Sequence, residues 1–333
     1  MNPAIQLNQL TKVYQVPERE AGLGAAVRSL VRRRFRAVKA VDAISFTIAP
    51  GEVVGFLGPN GAGKTTTLKM LAGLLYPSAG QATVLGHVPQ KRARAFLSQI
   101  ALVMGNRNQL QWDIPALDSF ELNRAIYSLN PAEFRRTRDE LVAMMEVGDL
   151  VKKPVRNLSL GERMKMAVIG ALLHRPQVLF LDEPTLGLDV TMQRRLRTFV
   201  AEYNRRSGAT VLLTSHYMAD VEALCRRVIV IHHGQLLYDG DLAGLAERFA
   251  AYKTIGVTLG DAREPAAVDW SVFGELVEQD GAHVKLRVPK AETARLTAQL
   301  LAELPVSDLT VEEPPVEDVI ERVFTSGSAE KQP

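Results

Sequence analysis

The sequence predicts an α/β fold built on a largely parallel sheet, followed by a smaller α+β domain. Up to about residue 240, short apolar runs alternate with amphipathic helical stretches, an order typical of a parallel sheet covered by helices. After about residue 242 the pattern changes to a hairpin, a helix and a strand. The chain of 333 residues has room for two domains, at roughly 150 residues per domain.

Apolar runs predict the strands, and a period near 3.6 residues predicts the helices. In the first domain, strands are expected at 4–14, 43–48, 52–57, 178–181, 209–214 and 228–231, and helices at 64–75, 132–147, 159–174, 191–206 and 217–225. In the second, alternating runs around Asp280-Gly281 predict a hairpin over 274–288. A helix at 290–303, a strand at 306–313 and a helical turn at 316–324 follow. We therefore expect domains at 1–242 and 243–325, then a polar, flexible tail at 326–333.

Composition excludes several classes of protein. The 40 Lys and Arg against 37 Asp and Glu leave a net charge of +3, so we expect no nucleic-acid partner bound through bulk positive charge. The single cysteine, Cys225, can form neither an internal disulfide nor a multi-thiolate metal site, which fits a reducing cytosol. We expect no signal peptide and no membrane span, because no apolar run reaches about 18 residues.

A basic segment enlarges the first domain at about residues 17–39. On a helical projection its apolar residues share one arc, while five basic residues lie outside that arc. These five residues are Arg28, Arg32, Arg33, Arg36 and Lys39. The pattern predicts a basic amphipathic helix, which suits the inner membrane surface or the cytoplasmic edge of a partner. A solvated helix packed on its own domain is the alternative.

The predicted strand at 52–57 runs into a glycine-rich loop, GPNGAGKT, which matches G-x-x-x-x-G-K-[ST]. Glycines let the backbone approach phosphate oxygens, and a helix that begins there presents its positive end to the anion. Lys64 adds a full charge at the β- and γ-phosphates, and the Thr65 hydroxyl can bind Mg²⁺. The predicted nucleotide-binding residues here are Gly58, Pro59, Asn60, Gly61, Ala62, Gly63, Lys64, Thr65 and Thr66.

Two carboxylates, Asp182 and Glu183, end a second apolar run, VLFL at 178–181. A buried parallel strand places its last residue at the ligand edge of the sheet. Asp182 would then hold Mg²⁺, and Glu183 could polarise an attacking water as a general base. Capping of the following segment is the alternative for both residues.

Together with Leu158-Ser159-Leu160-Gly161-Glu162, these motifs strongly resemble the ATP-binding subunit of ABC transporters over residues 1 to about 240. The resemblance implies a P-loop NTPase of the ABC ATPase type, whose mostly parallel sheet carries an antiparallel β-subdomain and a helical subdomain. It makes 158–162 the signature motif, in which Ser159 and Gly161 contact ATP held by the other subunit. Leu160 and Glu162 depart from the family's usual Leu-Ser-Gly-Gly-Gln. The residues themselves also predict a capping box of Ser159 with Glu162, and both interpretations can hold together.

The resemblance assigns roles to further positions. His216 resembles the switch histidine that contacts the γ-phosphate. Asp189, in Gly-Leu-Asp, resembles the D-loop aspartate, although it could equally be the N-cap of the next helix. Tyr14 resembles the aromatic residue that stacks on adenine, although an aromatic residue at a strand end is often only core.

The family's Q-loop falls near residues 100–106, where Asn106 is the expected Mg²⁺ ligand and Gln109 the alternative. Asn is one methylene shorter than Gln, so a bridging water would make up the reach. The resemblance also places the docking site for the coupling helices of a permease at residues 108–127, which include Trp112. Trp112 as a plain core residue is the alternative.

The function implied by the resemblance is ATP hydrolysis, with ATP and Mg²⁺ as cofactors and Lys64, Glu183 and His216 as catalytic residues. Two copies, or one copy and a paralogous subunit, would enclose two ATP molecules and drive export through a separate transmembrane permease. The protein would work in the cytoplasm, on the inner face of the cell membrane. The spellings LSLGERMK and TTTLKMLAGLL and the accessory C-terminal domain resemble the bacterial drug- and sodium-extrusion branch.

The competing class is a non-transport ABC ATPase of the translation or DNA-maintenance type. The chain has one phosphate loop, whereas translation-type members carry two cassettes, and it lacks the sustained heptads of DNA-maintenance members. An interaction module with an inactive ATPase site is a third interpretation. The presence of Lys64, Asp182, Glu183 and His216 opposes it.

Overall fold

The computed structural model describes residues 2–17, 35–105, 109–260, 268–314, 318–320 and 324. It divides the chain into two compact units, Met1–Asp239 and Gly240–Pro333. The division lies slightly before the boundary expected at 242. The tail expected at 326–333 lies outside the described residues.

The first unit alternates strands with helices. Its strands are β1 (Ile5–Pro17), β2 (Phe35–Ile48), β3 (Val53–Leu57), β4 (Ala79–Val84), β5 (Ile100–Met104), β6 (Val178–Asp182), β7 (Thr210–Thr214), β8 (Arg227–His232) and β9 (Gln235–Asp241), the last two residues of which fall in the second unit. Its α-helices are α1 (Lys64–Leu71), α2 (Arg94–Leu97), α3 (Ala116–Ile126), α4 (Pro131–Met144), α5 (Leu160–Leu172), α6 (Val190–Ser207) and α7 (Met218–Leu224). Short 3-10 helices occupy Pro89–Lys91 and Val155–Asn157.

A six-stranded sheet in the order β5-β6-β7-β3-β8-β9 positions the site. Its strands from β5 to β8 pair in parallel. Every residue of β6 and β7 is buried, as expected for strands covered on both faces. Because the strands are parallel, β3, β6 and β7 end at one edge of the sheet, and the loops that follow them meet there.

The other sheet of the first unit is antiparallel, in the order β2-β1-β4. Its apolar residues, such as Leu10 and Ile44, share one core with Phe56 of β3 and Phe180 of β6. The two sheets are therefore held together by a common apolar interior rather than by shared strands.

The prediction of a basic helix is wrong for its last residues, which form the start of strand β2. Residues 35–39, including Arg36 and Lys39, lie in β2 and pair antiparallel with the end of β1. A helix is predicted here because Phe35 and Val38, three positions apart, fit one helical face. The local pattern could not reveal that β1 supplies hydrogen-bond partners for this segment. The rest of the predicted helix, at 18–34, lies outside the described residues.

The second unit is α+β, as predicted. It comprises α8 (Leu242–Phe249), β10 (Tyr252–Leu259), β11 (Glu275–Asp280), β12 (His283–Pro289), α9 (Thr293–Glu303) and β13 (Val306–Glu312), with 3-10 helices at Trp270–Val272 and Lys290–Glu292. Its antiparallel sheet has the order β11-β12-β10-β13. Ile255, Val257, Val284 and Leu286 of the sheet form a core with residues of α9, including Leu300. Of the predicted turn at 316–324, only residues 318–320 and 324 are described, and they are helical.

Across the residues that the structure describes, none of the helices combines the length and the apolar character that crossing a bilayer requires.

Cys225, which follows α7, provides a test of the packing around β3. Its side chain is buried, and burial together with the nearby Asp220 carboxylate raises the pKa of the thiol to about 12. At about pH 8 only roughly one thiol in ten thousand would be ionised, and the thiolate is the reactive form. We therefore expect iodoacetamide to leave Cys225 unmodified in the folded chain and to modify it in denaturant, as measured by mass spectrometry. Rapid modification of the native protein would contradict this packing.

Candidate functional site

The loop between β3 and α1 is held tightly against its neighbours. A Cβ atom on Gly58 would lie 2.3 Å from the carbonyl oxygen of Ile231, and one on Gly63 would lie 2.3 Å from that of Ala40. Gly63 also has a left-handed backbone, with φ of 107°. Any side chain at these two positions would collide with backbone, so glycine is required for the loop to pack against β8 and β2.

Lys64 begins α1, and no side chain caps this helix. The first amides of an α-helix have no partner within the helix and favour an anion. Lys64 Nζ donates hydrogen bonds to the carbonyl oxygens of Gly58, at 2.5 Å, and Pro59, at 3.2 Å. Burial lowers the pKa of Lys64, while the carboxylates of Glu183 and Asp182 oppose that shift. The start of α1 thus combines helix-end amides with a largely buried amine, an arrangement complementary to phosphate.

Asp182 ends β6 and joins three segments of the site. The Thr65 hydroxyl donates to both Asp182 carboxylate oxygens, at 3.1 and 2.8 Å, and the Thr214 hydroxyl donates to Oδ1 at 2.8 Å. Thr65 and Asp182 supply oxygen atoms, the ligands that Mg²⁺ prefers. No group of three or more His, Cys, Asp or Glu side chains that could hold a metal occurs among the described residues. Thr65 and Asp182 are thus the described side chains at this position that could contribute oxygen ligands to a magnesium ion.

Glu183 has an unusual backbone conformation, with φ of 53°. A left-handed non-glycine residue costs about 1–3 kcal/mol, and such residues cluster at functional sites. Two hydrogen bonds hold it, from Glu183 N to the carbonyl oxygen of Thr214 at 3.1 Å and to its hydroxyl at 3.0 Å. The Glu183 carboxylate lies 2.8 Å from His216 Nε2. The predicted base and the predicted switch histidine are therefore in direct contact.

Gly105 connects the end of β5 to this pair. Gly105 N donates to the carbonyl oxygen of Asp182 at 2.8 Å, and a Cβ atom on Gly105 would lie only 2.0 Å from that of Glu183. The predicted magnesium ligand Asn106 lies outside the described residues. The alternative residue, Gln109, is described, and its amide donates back to the carbonyl oxygen of Leu102 at 2.9 Å.

Ser159 and Glu162 form the predicted capping box at the start of α5, which confirms that interpretation. Ser159 N donates to the Glu162 carboxylate at 2.8 Å, and Glu162 N donates to Ser159 Oγ at 3.3 Å. Glu162 therefore faces its own helix end. A Cβ atom on Gly161 would lie 3.0 Å from the Met192 side chain, which places the signature segment beside α6.

Asp189 caps α6 by accepting a hydrogen bond from Met192 N at 2.9 Å, which confirms the N-cap alternative. A Cβ atom on Gly187 would lie 3.1 Å from the Leu160 side chain. The signature and D-loop segments are therefore neighbours within one chain.

The two aromatic residues singled out in the sequence are both exposed rather than part of the core. Tyr14, on β1, is 38% exposed, and Lys12 Nζ lies 5.3 Å from its ring centroid. Trp112 is 45% exposed, and the Arg163 guanidinium lies 5.0 Å from its ring centroid. Core packing is therefore the wrong interpretation for both residues.

Comparisons with known proteins agree with this geometry. The family described as "ABC transporter" matches residues 41–186, and the one described as "EvrA-like ABC transporter, C-terminal domain" matches residues 251–312. The "ABC transporter ATP-binding protein NatA" of Bacillus subtilis (strain 168) is 39% identical over 219 residues, which is 65% of this chain and 89% of NatA. The chain belongs to the ATP-binding proteins of ABC transporters.

Two further similarities concern a relative in sequence and a solved structure with the same fold. The "Nod factor export ATP-binding protein I" of Burkholderia pseudomallei (strain 1710b) is 36% identical over 214 residues, which is 63% of this chain and 68% of that protein. A solved ATP-binding cassette, described as a dimer in a post-hydrolysis state with ADP and Pi, shares the fold. Its TM-score is 0.59 at 22% identity, over 71% of this chain and 98% of that chain.

The predicted family, fold and ATPase activity of this ABC protein are thereby confirmed, and the non-transport alternative is not favoured. Sequence reasoning missed two residues of the site. The sequence could have identified Thr214, since it is a hydroxyl residue that ends an apolar strand at the ligand edge. It could not have identified Gly105, because the importance of that residue depends on the close approach of Glu183 from the neighbouring strand.

Gly105→Ala tests whether this close approach positions the ATPase site. The added methyl group would force the Glu183 backbone away, so ATP turnover should fall about tenfold or more while nucleotide affinity changes little. Gly148→Ala is the matched control, because no atom lies within 4 Å of a Cβ atom placed there. Equal turnover in both variants, measured by phosphate release, would show that the contact with Glu183 is dispensable.

Proposed function

We propose that this ABC protein hydrolyses Mg²⁺-ATP between two subunits and so drives export through a separate membrane permease. The observation that carries the proposal is the convergence of Lys64, Asp182, Glu183 and His216 at one edge of the parallel sheet. The similarity to a Nod factor export ATP-binding protein supports the direction of transport.

The start of α1 and Lys64 would bind the β- and γ-phosphates. Thr65 and Asp182 are the residues that fit Mg²⁺, and Asn106 stays a sequence-based candidate for the same ion. When bound, the ion neutralises charge on the phosphate oxygens. The exposed ring of Tyr14 offers a flat face for adenine on β1, whose partner strand β2 lies beside Gly63.

Glu183 would accept the proton of the attacking water. As a carboxylate acceptor, Glu183 selects the His216 form that carries a proton on Nε2. That proton can also be donated to a γ-phosphate oxygen, so His216 can bind the base or the substrate. The contact between the two residues thus provides a route by which substrate binding releases the base for reaction.

An exposed surface beside the signature motif supports dimer formation with a second copy or a paralogous subunit. Leu160, Leu186 and Val190 are exposed there, at 43, 39 and 76%. Clustered exposed apolar residues mark interaction sites. In the proposed dimer, Ser159, Gly161 and Asp189 of one subunit would contact ATP bound by the other.

A groove near the end of α3 supports docking of the permease at the inner face of the membrane. It has a volume of about 380 Å³, and its lining includes Leu74, Leu102, Ile126 and Arg94. Ile126 is 67% exposed and Leu74 is 52% exposed. The groove overlaps the end of the segment expected to meet the coupling helices. Independently, the basic residues at 28–39 would favour an anionic membrane surface.

Glu183→Gln should bind ATP normally and hydrolyse it about 100-fold or more slowly, because the amide cannot accept the proton. The variant should accumulate as an ATP-bound dimer, measured by size-exclusion chromatography with light scattering. Lys64→Ala is the companion variant, and its nucleotide affinity should fall about tenfold or more. Wild-type turnover by Glu183→Gln would remove Glu183 from its role, and a monomer under these conditions would contradict the shared site.

Ile126→Asp should detach the chain from its permease by placing a charge in the docking groove. We expect the membrane-bound fraction in native cells to fall about tenfold, the size of effect that a central interface contact carries. Leu301→Asp is the control, since Leu301 is similarly exposed, at 54%, on α9. Membrane fractionation with immunoblotting measures both variants, and equal retention would place the docking surface elsewhere.

A further inference from the structure

Asp220, in α7, is a buried carboxylate to which the site described so far gives no role. It is 1% exposed and accepts hydrogen bonds from three separate segments. The donors are the Thr185 hydroxyl, the Ser215 hydroxyl at 2.6 Å and Arg197 Nη1 at 3.1 Å. Both hydroxyls bind Oδ2, whereas Arg197 binds Oδ1.

The two hydroxyl donors flank the proposed catalytic pair. Thr185 lies two residues after Glu183, and Ser215 immediately precedes His216. A single carboxylate oxygen therefore ties the loop that follows β6 to the loop that follows β7. Thr214 joins the same two loops one step closer to the strands, through its bonds to Asp182 and to Glu183 N.

Each arm of the network has a fixed direction. Ser215 Oγ accepts a hydrogen bond from Tyr217 N at 3.0 Å, and its single proton has a much nearer acceptor in Asp220 Oδ2, at 2.6 Å, than in the Tyr217 carbonyl oxygen, at 3.3 Å. Thr185 is only 2% exposed, so water does not compete with Asp220 for its hydroxyl group. A buried carboxylate is tolerated only while it stays paired and hydrogen-bonded, so Asp220 cannot leave these donors for solvent.

Arg197 extends the network to α6, the helix that Asp189 caps. Gln193, on the same helix, donates to the carbonyl oxygen of Leu188 at 3.1 Å and thereby holds the D-loop. The helix beside the signature segment and the two catalytic loops therefore meet at Asp220.

We propose that Asp220 is a positioning residue for ATP hydrolysis, which fixes the separation of Glu183 and His216 by holding Thr185 and Ser215 on one oxygen. This inference rests on the proposed function, because it assumes that the pair performs the chemistry. Asp220 itself touches neither substrate nor reacting atoms. Its removal should therefore lower kcat while the KM for ATP and the binding of nucleotide persist.

The test uses the full chain in the transporter complex purified with its permease. Asp220→Asn should lower kcat about 10- to 100-fold, the cost expected of a small misplacement of catalytic groups. A fluorescent ATP analogue should bind it as it binds the wild type. Glu222→Gln, an exposed carboxylate on the same helix, is the matched control and should keep wild-type kcat.

A pair of substitutions at Thr185 keeps the test valid if Asp220→Asn fails to fold. Thr185→Val preserves the shape of the side chain and removes the hydroxyl, so kcat should fall. Thr185→Ser restores the hydroxyl and should restore kcat. Equal kcat in the Val and Ser variants, or a loss of nucleotide binding that matches the loss of kcat, would overturn the inference in favour of a purely structural role.

Glu183→Gln, assayed alongside, separates this inference from the proposed function. An inactive Glu183→Gln together with wild-type kcat in Asp220→Asn overturns the role of Asp220 alone. Wild-type turnover by Glu183→Gln overturns both, because the pair that Asp220 positions would then not perform the chemistry.

Discussion

The geometry of the ATP site depends on the Asp182 carboxylate, which links three segments of the chain. It ends β6, and it accepts hydrogen bonds from Thr65 at the start of α1 and from Thr214 at the end of β7. Three segments that are far apart in sequence are thereby fixed at one edge of the sheet. Since a buried carboxylate is stable only with bonded partners, movement of either threonine would remove a hydrogen bond from a buried charged group.

The proposed catalytic residue Glu183 is positioned next to this carboxylate. Glu183, the next residue, takes a left-handed backbone that its bonds to Thr214 hold in place, and Gly105 leaves the space for its carbonyl group. Farther from the reacting residues, Asp220 has a similar role, because its buried carboxylate accepts hydrogen bonds from hydroxyl groups of the two neighbouring loops. Strain at the reacting residue is thus offset by a polar framework around it.

Most of the site could be predicted from the sequence because its parts are contiguous motifs. The loop at 58–65, the carboxylates after VLFL and the capping box at 159–162 each depend on a few adjacent residues, whose local physics suffices. The predictions failed where pairing with a distant segment decides the conformation. Residues 35–39 form a strand because β1 lies beside them, and β4, whose first residues are Ala-Gly-Gln, shows no strand pattern until β1 pairs with it.

By itself, the sequence determined the class of this protein: an α/β ABC ATPase with a phosphate loop, a carboxylate pair at a strand end and a smaller α+β unit. Only the tertiary structure decided that Glu183 contacts His216, that Gly105 must lack a side chain, and that Asp220 unites the two catalytic loops. Motifs depend on interactions along a few residues of chain, which a sequence displays directly. Contacts among strand ends depend on the order of strands in the sheet, which no single segment encodes.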